Sequence, residues 1–227
     1  MSEQSLLLIL LGVCIVLAVG ALAYLGWRME QKRTDALASL AARLGMNFSP
    51  ARDRDLAARF KALRGLHEGN DRYAWNVLSG PYGASPFLIF DFHYETESTD
   101  SDGKRQTSQH YLHVVLLQLP RAFPSLHVSP EGMFSKIAQA LGYDDIDFES
   151  AEFSRRYCVR SADKKFAYDF CNARMIDFLL GQTKLSLEVR DEWLAFVYNG
   201  RMSPDELTPK LDLACAVHER MPDYLFA

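Results

Sequence analysis

The stretch from Ser5 to Trp27 contains no charged side chain and is apolar almost throughout: SLLLILLGVCIVLAVGALAYLGW. As an α-helix it would be about 35 Å long, enough to cross a hydrocarbon layer of roughly 30 Å with some tilt. Only a helix satisfies its own backbone hydrogen bonds in lipid, so the sequence predicts a transmembrane helix over residues 5–27 after a short tail of residues 1–4. Tyr24 and Trp27 fall at its far end, where amphipathic rings favour the membrane–water interface.

A removable signal peptide is the main alternative to a retained anchor. Ala21-Leu22-Ala23 resembles a small-x-small cleavage site, but the first four residues, MSEQ, lack the basic region that precedes such peptides. Cys14 lies in the middle of the apolar run and follows the branched Val13, which disfavours a lipoprotein signal. We therefore expect the helix to be retained.

The flanking charges predict the orientation of this anchor. Before the run there is Glu3 and no basic residue, whereas three basic residues follow it: Arg28, Lys32 and Arg33. Positive residues remain on the cytoplasmic side, so the amino terminus should face outwards, with the domain in the cytoplasm. An odd number of cysteines outside the membrane fits reduced, buried thiols in a cytosol: Cys158, Cys171 and Cys215. A periplasmic domain is the alternative.

Charge divides the rest of the chain into two parts. Residues 28–64 hold nine Lys or Arg against four Asp or Glu, whereas residues 65–227 hold 16 against 24. We expect a basic juxtamembrane helical segment over 28–64, which could contact anionic lipid through Arg28, Lys32 and Arg33. Residues 65–227 should form one soluble domain, and its negative charge disfavours nucleic-acid binding.

Hydrophobic periodicity predicts the elements of this chain. A helix should end at Gly45, a second should begin at Ser49-Pro50 and end at Gly65, and a third should begin at Ser129-Pro130-Glu131. Further helices should run from Ser161 to Gly181 and from the capping box at Ser203.

Period-two patterns predict the strands between those helices. Strands are expected around Tyr73–Val77, over 87–94 and over 111–119, with a long polar loop over 95–108. Short extended segments should cover 145–149 and 153–160, and KLSLEVR and WLAFVYNG should form a hairpin turning at Asp191-Glu192. Strands joined by single helices and hairpins favour an α+β fold: a transmembrane helix, then one domain with a largely antiparallel sheet and three or more packed helices.

A set of short motifs recurs in order between Phe87 and Val159: FDFHY at 90–94, Gln106-Thr107, Leu119-Pro120, Pro130-Glu131, Lys136-Ile137, the DIDF run at 145–148 and EFSRRY at 152–157. This pattern resembles an uncharacterised bacterial family with an amino-terminal hydrophobic anchor followed by one α+β domain of unknown function. The likeness covers most of residues 43–207, with Phe92 and Cys158 departing from the family's tyrosine and aliphatic residue. It implies a membrane-attached bacterial protein and carries no chemistry with it.

Three carboxylates are the candidate metal ligands. Asp145, Asp147 and Glu149 would share one face of an extended segment, with neighbours roughly 6.5–7 Å apart. Such a face could present oxygens to Ca²⁺ or Mg²⁺, although the EF-hand spacing is absent. The alternative, which we favour, places Ile146 and Phe148 in the core and leaves the carboxylates solvated and paired with neighbouring arginines.

A second candidate is catalytic. Asp91 and His93 share a strand face, and His93 could meet His110 or His113 across the sheet as a general base or a metal pair. His110 and His113 are three residues apart on a strand and so face opposite sides. Convergence of Asp91, His93, His113 and Asp147 in one cleft would favour an enzyme, and scattered placement a binding protein.

The basic residues between 155 and 165 could bind phosphate beside a helix start at Ser161, or could pair with nearby carboxylates, which we favour: Arg155, Arg156, Arg160, Lys164 and Lys165. Nucleotide-binding and hydrolase motifs are absent from the sequence.

No catalytic, cofactor-binding or metal-binding residue is assigned with these patterns. We expect a membrane-tethered interaction or regulatory module that binds lipid through residues 5–27 and an unidentified protein partner. The alternative is a small-molecule hydrolase or metal-dependent enzyme using Asp91, His93 and the acidic segment 145–149. A structural or assembly factor of the envelope is a third class and requires the opposite membrane orientation.

Overall fold

The computed structural model describes residues 3–63, 65–100, 103–131, 145–183 and 185–227. In chain order its elements are α1 (Glu3–Leu44), β1 (Asn47–Ser49), α2 (Arg54–Arg59), β2 (Asn70–Tyr82), β3 (Ser85–Thr99), β4 (Arg105–Pro130), α3 (Ala151–Arg156), β5 (Tyr157–Ser161), α4 (Lys164–Phe170), α5 (Ala173–Leu180), β6 (Leu187–Asn199) and α6 (Pro204–His218), followed by a 3₁₀ helix at Asp223–Leu225. This is an α+β fold with an amino-terminal apolar helix, as the sequence predicts.

Helix α1 has two parts with different surroundings. From Leu10 to Met29 its large apolar side chains are exposed, with Trp27 at 62%. Further along the same helix, Leu37, Leu40 and Ala41 are buried in the core of the domain. The sequence predicts an anchor followed by a separate short helix; the structure has one helix of 42 residues that is long and apolar enough to cross a membrane and also belongs to the domain.

The six strands form one antiparallel sheet in which β4 is central. Strands β1, β2, β3, β4 and β5 follow one another in the sheet, and β6 pairs with β4. Because β6 pairs with β4 at positions from Leu112 to Val128, β3 and β5 must share the other edge of β4. The strand predicted over 111–119 is thus central, and its apolar character on both faces is explained by helices on both sides of the sheet.

Each face of the sheet has its own apolar cluster. The larger cluster lies under α1, α4, α5 and α6 and includes Ile89, Val115 and Phe196 from three neighbouring strands. The smaller cluster lies under α2 and includes Phe60, Phe90 and Trp193. We refer to these as the α1 face and the α2 face.

Residues 28–64 are a mixture of elements rather than a helical segment throughout. They hold the end of α1, then β1, which pairs with β2, and then α2, whose Ala57 is buried against the sheet. The helix expected from Ser49-Pro50 begins later, because Ser49 ends β1 and Asp53 caps α2 by accepting a hydrogen bond from the Leu56 N–H.

Several strands begin or end at residues other than those predicted. Residues expected as a loop over 95–108 largely extend β3 to Thr99 and β4 from Arg105, a regular antiparallel register that polar side chains tolerate at a solvated hairpin. The hairpin expected at Asp191-Glu192 is instead an irregularity within the single strand β6, where Asp191 has φ +50°. Asp191 and Glu192, which resemble a hairpin turn in the sequence, instead form a bulge within β6.

The segment before α4 also differs from expectation. Residues 153–160, predicted as extended, divide into α3 and β5, since Ser150 caps a short helix by accepting from the Phe153 N–H. Ser161 ends β5, and the single helix expected from it is two helices, capped by Asp163 and Asn172. The helix predicted after Ser129-Pro130-Glu131 falls on residues 132–144, outside the described part of the chain; Pro130 itself ends β4.

Candidate functional site

Asp91 is a carboxylate placed in the middle of the sheet with no exposed surface. Its Oδ2 accepts hydrogen bonds from Arg33 Nη1 at 2.7 Å and from Asn76 Nδ2 at 3.1 Å, and its Oδ1 accepts from the Met202 N–H at 2.7 Å. Burial raises the pKa of Asp91, and the charge of Arg33 and the Met202 N–H oppose that rise. Three donors around an acceptor-only group match an ionised carboxylate.

A backbone irregularity in β2 brings Asn76 to this carboxylate. The pairing of β2 with β3 shifts between Trp75 and Leu78, and Asn76 takes φ +50° there. Asparagine adopts this conformation more readily than most residues. Trp75 is the cross-strand partner of Asp91, and the irregularity after Trp75 lets the Asn76 amide reach the same carboxylate.

Arg33 carries the charge that balances Asp91. Its Nη1 also donates to the Met202 carbonyl at 3.0 Å, and its Nη2 donates to Glu30 at 2.7 Å. Burial lowers the pKa of Arg33, but Glu30 and Asp91 more than restore it, and the guanidinium stays charged. The sequence groups Arg33 with Arg28 and Lys32 as a lipid contact; the structure corrects this, because its side chain is 16% exposed and points into the domain.

Glu30 extends the network towards the membrane end of α1. Burial raises its pKa, but its hydrogen bonds to Arg33 and Arg201 leave the pKa below the usual value. The Arg201 guanidinium lies 2.9 Å from Glu30 Oε2. Helix α1 is therefore bound to β3 and to the connection between β6 and α6 through Glu30 and Arg33.

An aromatic row crosses β2, β3 and β4 next to this network; we define it as Tyr73, Trp75, His93 and Tyr111. Tyr73 stacks on His93 at 4.7 Å between ring centroids, and His93 lies 5.2 Å from Tyr111. Trp75 meets Tyr111 edge-on at 6.0 Å. An arginine covers each end: Arg52 lies 4.4 Å from the Tyr73 ring and Arg201 4.3 Å from the Tyr111 ring.

His113 lies opposite Asp91 on β4 and is held neutral. Its Nδ1 lies 3.3 Å from the Gly200 carbonyl and its Nε2 lies 2.8 Å from the Lys210 ammonium. An ammonium can only donate, so Nε2 accepts and Nδ1 carries the proton. Burial, followed by the charge of Lys210, lowers the pKa of His113 to about 4.

The catalytic candidates are thus partly brought together. Asp91, His93 and His113 share the α1 face, whereas Asp147 is elsewhere, its carbonyl accepting from Tyr168 of α4. Asp91 is bonded to Arg33, and His93 Nδ1 is bonded to the Asp71 carbonyl. His110 faces the other side of the sheet and stacks on Tyr94. No pattern in the sequence indicates that Arg33, 58 positions away, is the partner of Asp91.

The acidic segment is arranged differently from the predicted metal site. Asp145 Oδ1 accepts from the N–H groups of Ile146 and Val159, which ties it to β5. Within the described residues, the carboxylates and thiol that approach one another are those of Glu131, Asp145 and Cys158, with ligand atoms within 4.8 Å. Burial raises the pKa of Cys158 to about 11, so its thiol keeps its proton at neutral pH. Asp147 and Glu149 are outside this group.

Two of the five basic residues after Ser154 form ion pairs with neighbouring carboxylates. Arg156 pairs with Glu152 at 3.4 Å and Lys165 with Asp169 at 2.7 Å. The start of α4 is capped by the carboxylate of Asp163, which takes the Phe166 N–H. A carboxylate at that position competes with a phosphate for the same donor.

The α2 face carries a cleft of about 240 Å³ that the sequence did not indicate. Its lining combines apolar residues with polar ones, of which His127, Ser129 and Glu188 are buried: Gly65, Glu68, Tyr94, Leu112, His127, Ser129, Ser186, Leu187, Glu188, Ala195, Val197 and Asn199. A concave, partly apolar cleft of this kind suits the binding of a partner or ligand.

Comparison with known proteins gives a likeness of fold. No family model and no curated protein matches the chain. The fold is similar to that in the crystal structure of the mycobacterial trehalose monomycolate transport factor A, TtfA, with a TM-score of 0.57 and 15% sequence identity. The alignment covers 83% of this chain and 96% of that chain. At this identity the likeness shows a shared α+β architecture.

Proposed function

We propose that this protein is a single-pass protein of a bacterial inner membrane whose cytoplasmic α+β domain binds a partner and catalyses no reaction. The observation that carries the proposal is the buried ion pair between Arg33 and Asp91, which joins the membrane helix to the sheet. Asp91, a catalytic candidate, is paired with Arg33 and attaches the domain to its anchor. A binding surface gains from this arrangement, because it is presented at a constant height and orientation above the bilayer.

The occupied histidines support binding over catalysis. His113 is neutral and bonded on both ring nitrogens, and His93 stacks on Tyr73 and contacts Tyr111 at a tilted angle. Neither is free to exchange a proton with a substrate without losing contacts that hold the strands. The alternative of a hydrolase or metal-dependent enzyme using Asp91, His93 and segment 145–149 requires a convergence that the described residues lack.

The basic flank supports a cytoplasmic domain. Arg28 and Lys32 are exposed on α1 directly after the apolar run, with no Lys or Arg before it. Positive residues on short flanks remain in the cytoplasm. Arg28 and Lys32 are also free to contact anionic lipid, unlike Arg33.

A reporter fusion tests the orientation: alkaline phosphatase at the carboxyl terminus should be inactive, and strong activity would place the domain in the periplasm.

The shared architecture with TtfA supports a role in transport at the membrane. That protein is by name a transport factor for trehalose monomycolate, and we propose for this chain the same class of role, as an accessory protein of a membrane transport process. The resemblance of residues 87–159 to a family of anchored bacterial proteins with one α+β domain agrees with this proposal. It leaves open which molecule is transported.

Photocrosslinking in native membranes tests the binding function. A photoreactive residue replaces Ser186 or Asn199 at the cleft, with Tyr224, which is 59% exposed and outside it, as the matched control position. We expect a discrete protein adduct from the cleft positions in the full-length chain and its identification by mass spectrometry. Absence of adducts at these positions, together with turnover of a small molecule that depends on Asp91 or His93, would replace the proposal by the enzymatic alternative.

A further inference from the structure

We infer that the cleft on the α2 face receives an uncharged aromatic side chain with one polar atom, a tyrosine or a tryptophan, from the protein partner. The inference rests on the proposed binding function and specifies what the partner places in the cleft. Three features of the cleft carry it: a buried hydroxyl that lacks a hydrogen bond, the charge of the lining, and the shape and size of the space.

Ser129 supplies a hydroxyl that no hydrogen bond satisfies among the described residues. The residue is 2% exposed and lines the cleft. Leu126 and Val128 belong to the cluster on the α1 face, and side chains alternate along a strand, so the side chain of Ser129 faces the cleft. A buried polar group without a partner costs free energy, and an occupant that hydrogen-bonds to Ser129 recovers that cost.

The charge of the lining favours an uncharged occupant. Glu68 and Glu188 are its acidic residues, and the described lining includes no Lys or Arg. Two carboxylates repel an occupant that carries a carboxylate or a phosphate. Neither requires a cation from the occupant, because Glu188 accepts from Arg190 Nε at 2.9 Å and Glu68 accepts from the Tyr94 hydroxyl at 3.4 Å. A neutral hydroxyl or indole N–H is therefore the group that suits Ser129.

A bend in the sheet forms the two walls of the cleft. Leu112 and Ser129 both line it, although a straight strand would hold these two residues of β4 roughly 55 Å apart. The pairing of β4 with β6 is irregular between Gln118 and Leu126, and such irregularities bend a strand. The paired strands β4 and β6 therefore curve around the cleft, and residues from both of their ends line it.

The lining and the volume of the cleft fit an aromatic ring. Leu112, Leu187 and Val197 provide apolar surface. A cavity of about 150 Å³ accommodates benzene, so a cleft of about 240 Å³ has room for a phenol or an indole. Tyrosine and tryptophan combine such a ring with one hydrogen-bonding atom, and both are enriched at the centres of protein interfaces. A phenylalanine or a leucine would fill the space but leave the Ser129 hydroxyl unsatisfied.

Side-chain analogues test the inference on the full-length protein, labelled with ¹³C in its leucine and valine methyl groups and held in a lipid nanodisc. Leu112 and Val197 report on the cleft, and Val115, buried on the α1 face, is the control. N-acetyl-tyrosinamide should shift the methyl signals of the cleft in the millimolar range and leave those of Val115 unchanged. N-acetyl-phenylalaninamide, which lacks the hydroxyl, should bind roughly fivefold more weakly. If neither analogue shifts the cleft signals, the inference is overturned.

Ser129→Ala separates the hydrogen bond from the shape of the cleft. It should weaken the binding of the tyrosine analogue to the level of the phenylalanine analogue and leave the binding of the latter unchanged. The matched control is Ser161→Ala, since Ser161 is also buried but donates to the Ser125 carbonyl outside the cleft; this variant should keep the preference. Equal binding of the two analogues to the unaltered protein, or an unchanged preference in Ser129→Ala, would overturn the inference.

Photocrosslinking distinguishes a failure of this inference from a failure of the proposed function. A protein adduct at Ser186 or Asn199 without any shift of the cleft methyl signals would keep the binding function and overturn the aromatic side chain as the occupant. Shifts of those signals without a protein adduct would assign the cleft to a free small molecule and overturn the protein partner.

Discussion

Arg33 on the amino-terminal helix and Asp91 on the third strand form an ion pair 2.7 Å long, with the carboxylate fully buried. The two residues are 58 positions apart, and the pair also involves Asn76 and the backbone of Met202. Removing one partner of such a pair leaves an uncompensated charge in the interior, which costs far more than the pair contributes. The attachment of α1 to the sheet therefore depends on both residues.

Arg33→Met should destabilise the domain strongly. It leaves the Asp91 carboxylate with two neutral donors and no cation, and we expect a loss of about 3–5 kcal/mol in the free energy of unfolding. Lys32→Met is the matched control, since Lys32 is exposed on the same helix and should change the free energy by less than about 0.5 kcal/mol. Urea unfolding in detergent micelles measures both. Equal losses would mean that the pair does not join α1 to the sheet.

His113 makes stability depend on pH in a defined direction. Its folded pKa of about 4 is below the unfolded value of 6.5, so the unfolded state binds the extra proton first as pH falls. This contribution is fully present above pH 6.5 and is lost towards pH 4, by roughly 2 kcal/mol between pH 7 and pH 4.5. His113→Gln should remove that part of the pH dependence. An unchanged profile in the variant would show that the pKa of His113 is the same in the folded and unfolded states.

Two glycines with the same backbone conformation should respond differently to alanine. Gly69 and Gly83 have φ +64° and +61°, which alone costs an added side chain roughly 1–2 kcal/mol. An added Cβ at Gly69 would also overlap the Glu95 carbonyl oxygen, whereas Gly83 has open space. We expect Gly69→Ala to lower the melting temperature clearly more than Gly83→Ala. Matching shifts would show that β3 does not approach Gly69 so closely.

The buried thiols should be unreactive in the folded protein. Burial raises the pKa of Cys158 to about 11 and raises the pKa of Cys171 further still. Iodoacetamide at pH 8 should label neither until the domain is unfolded, because the thiolate is the reacting form. Ser39→Cys adds an exposed thiol on α1 as a positive control. Rapid native labelling of Cys171 would mean that its surroundings open readily.

The parts of the fold that the sequence predicted are those with a long, regular pattern. The uncharged run over 5–27 and the central strand over 111–119 are continuous apolar runs, and the last helix after Ser203 has a helical period. The wrong predictions occur where a short stretch of sequence is compatible with two different structures. Asp191-Glu192 between apolar runs resembles a hairpin turn, and only pairing with β4 along both halves of β6 shows that the strand continues.

The candidate site was predictable in its strand positions but not in its role. Alternation along β3 places Asp91 and His93 on one face, and the antiparallel register adds His113. Their partners come from distant segments: Arg33 from α1 and Lys210 from α6. A sequence pattern holds no information on which distant cation neutralises a buried carboxylate, so a structural ion pair and a catalytic acid look the same until the fold is known.

Amide hydrogen exchange along α1, in the full-length protein held in a lipid nanodisc, tests most directly whether one helix serves both membrane and domain. We predict slow exchange on both sides of Trp27, through the apolar run and onward to Leu44, because lipid protects the first part and the Arg33–Asp91 attachment the second. Fast exchange over residues 28–40 would contradict the rigid junction, and fast exchange over residues 8–24 would contradict the membrane anchor.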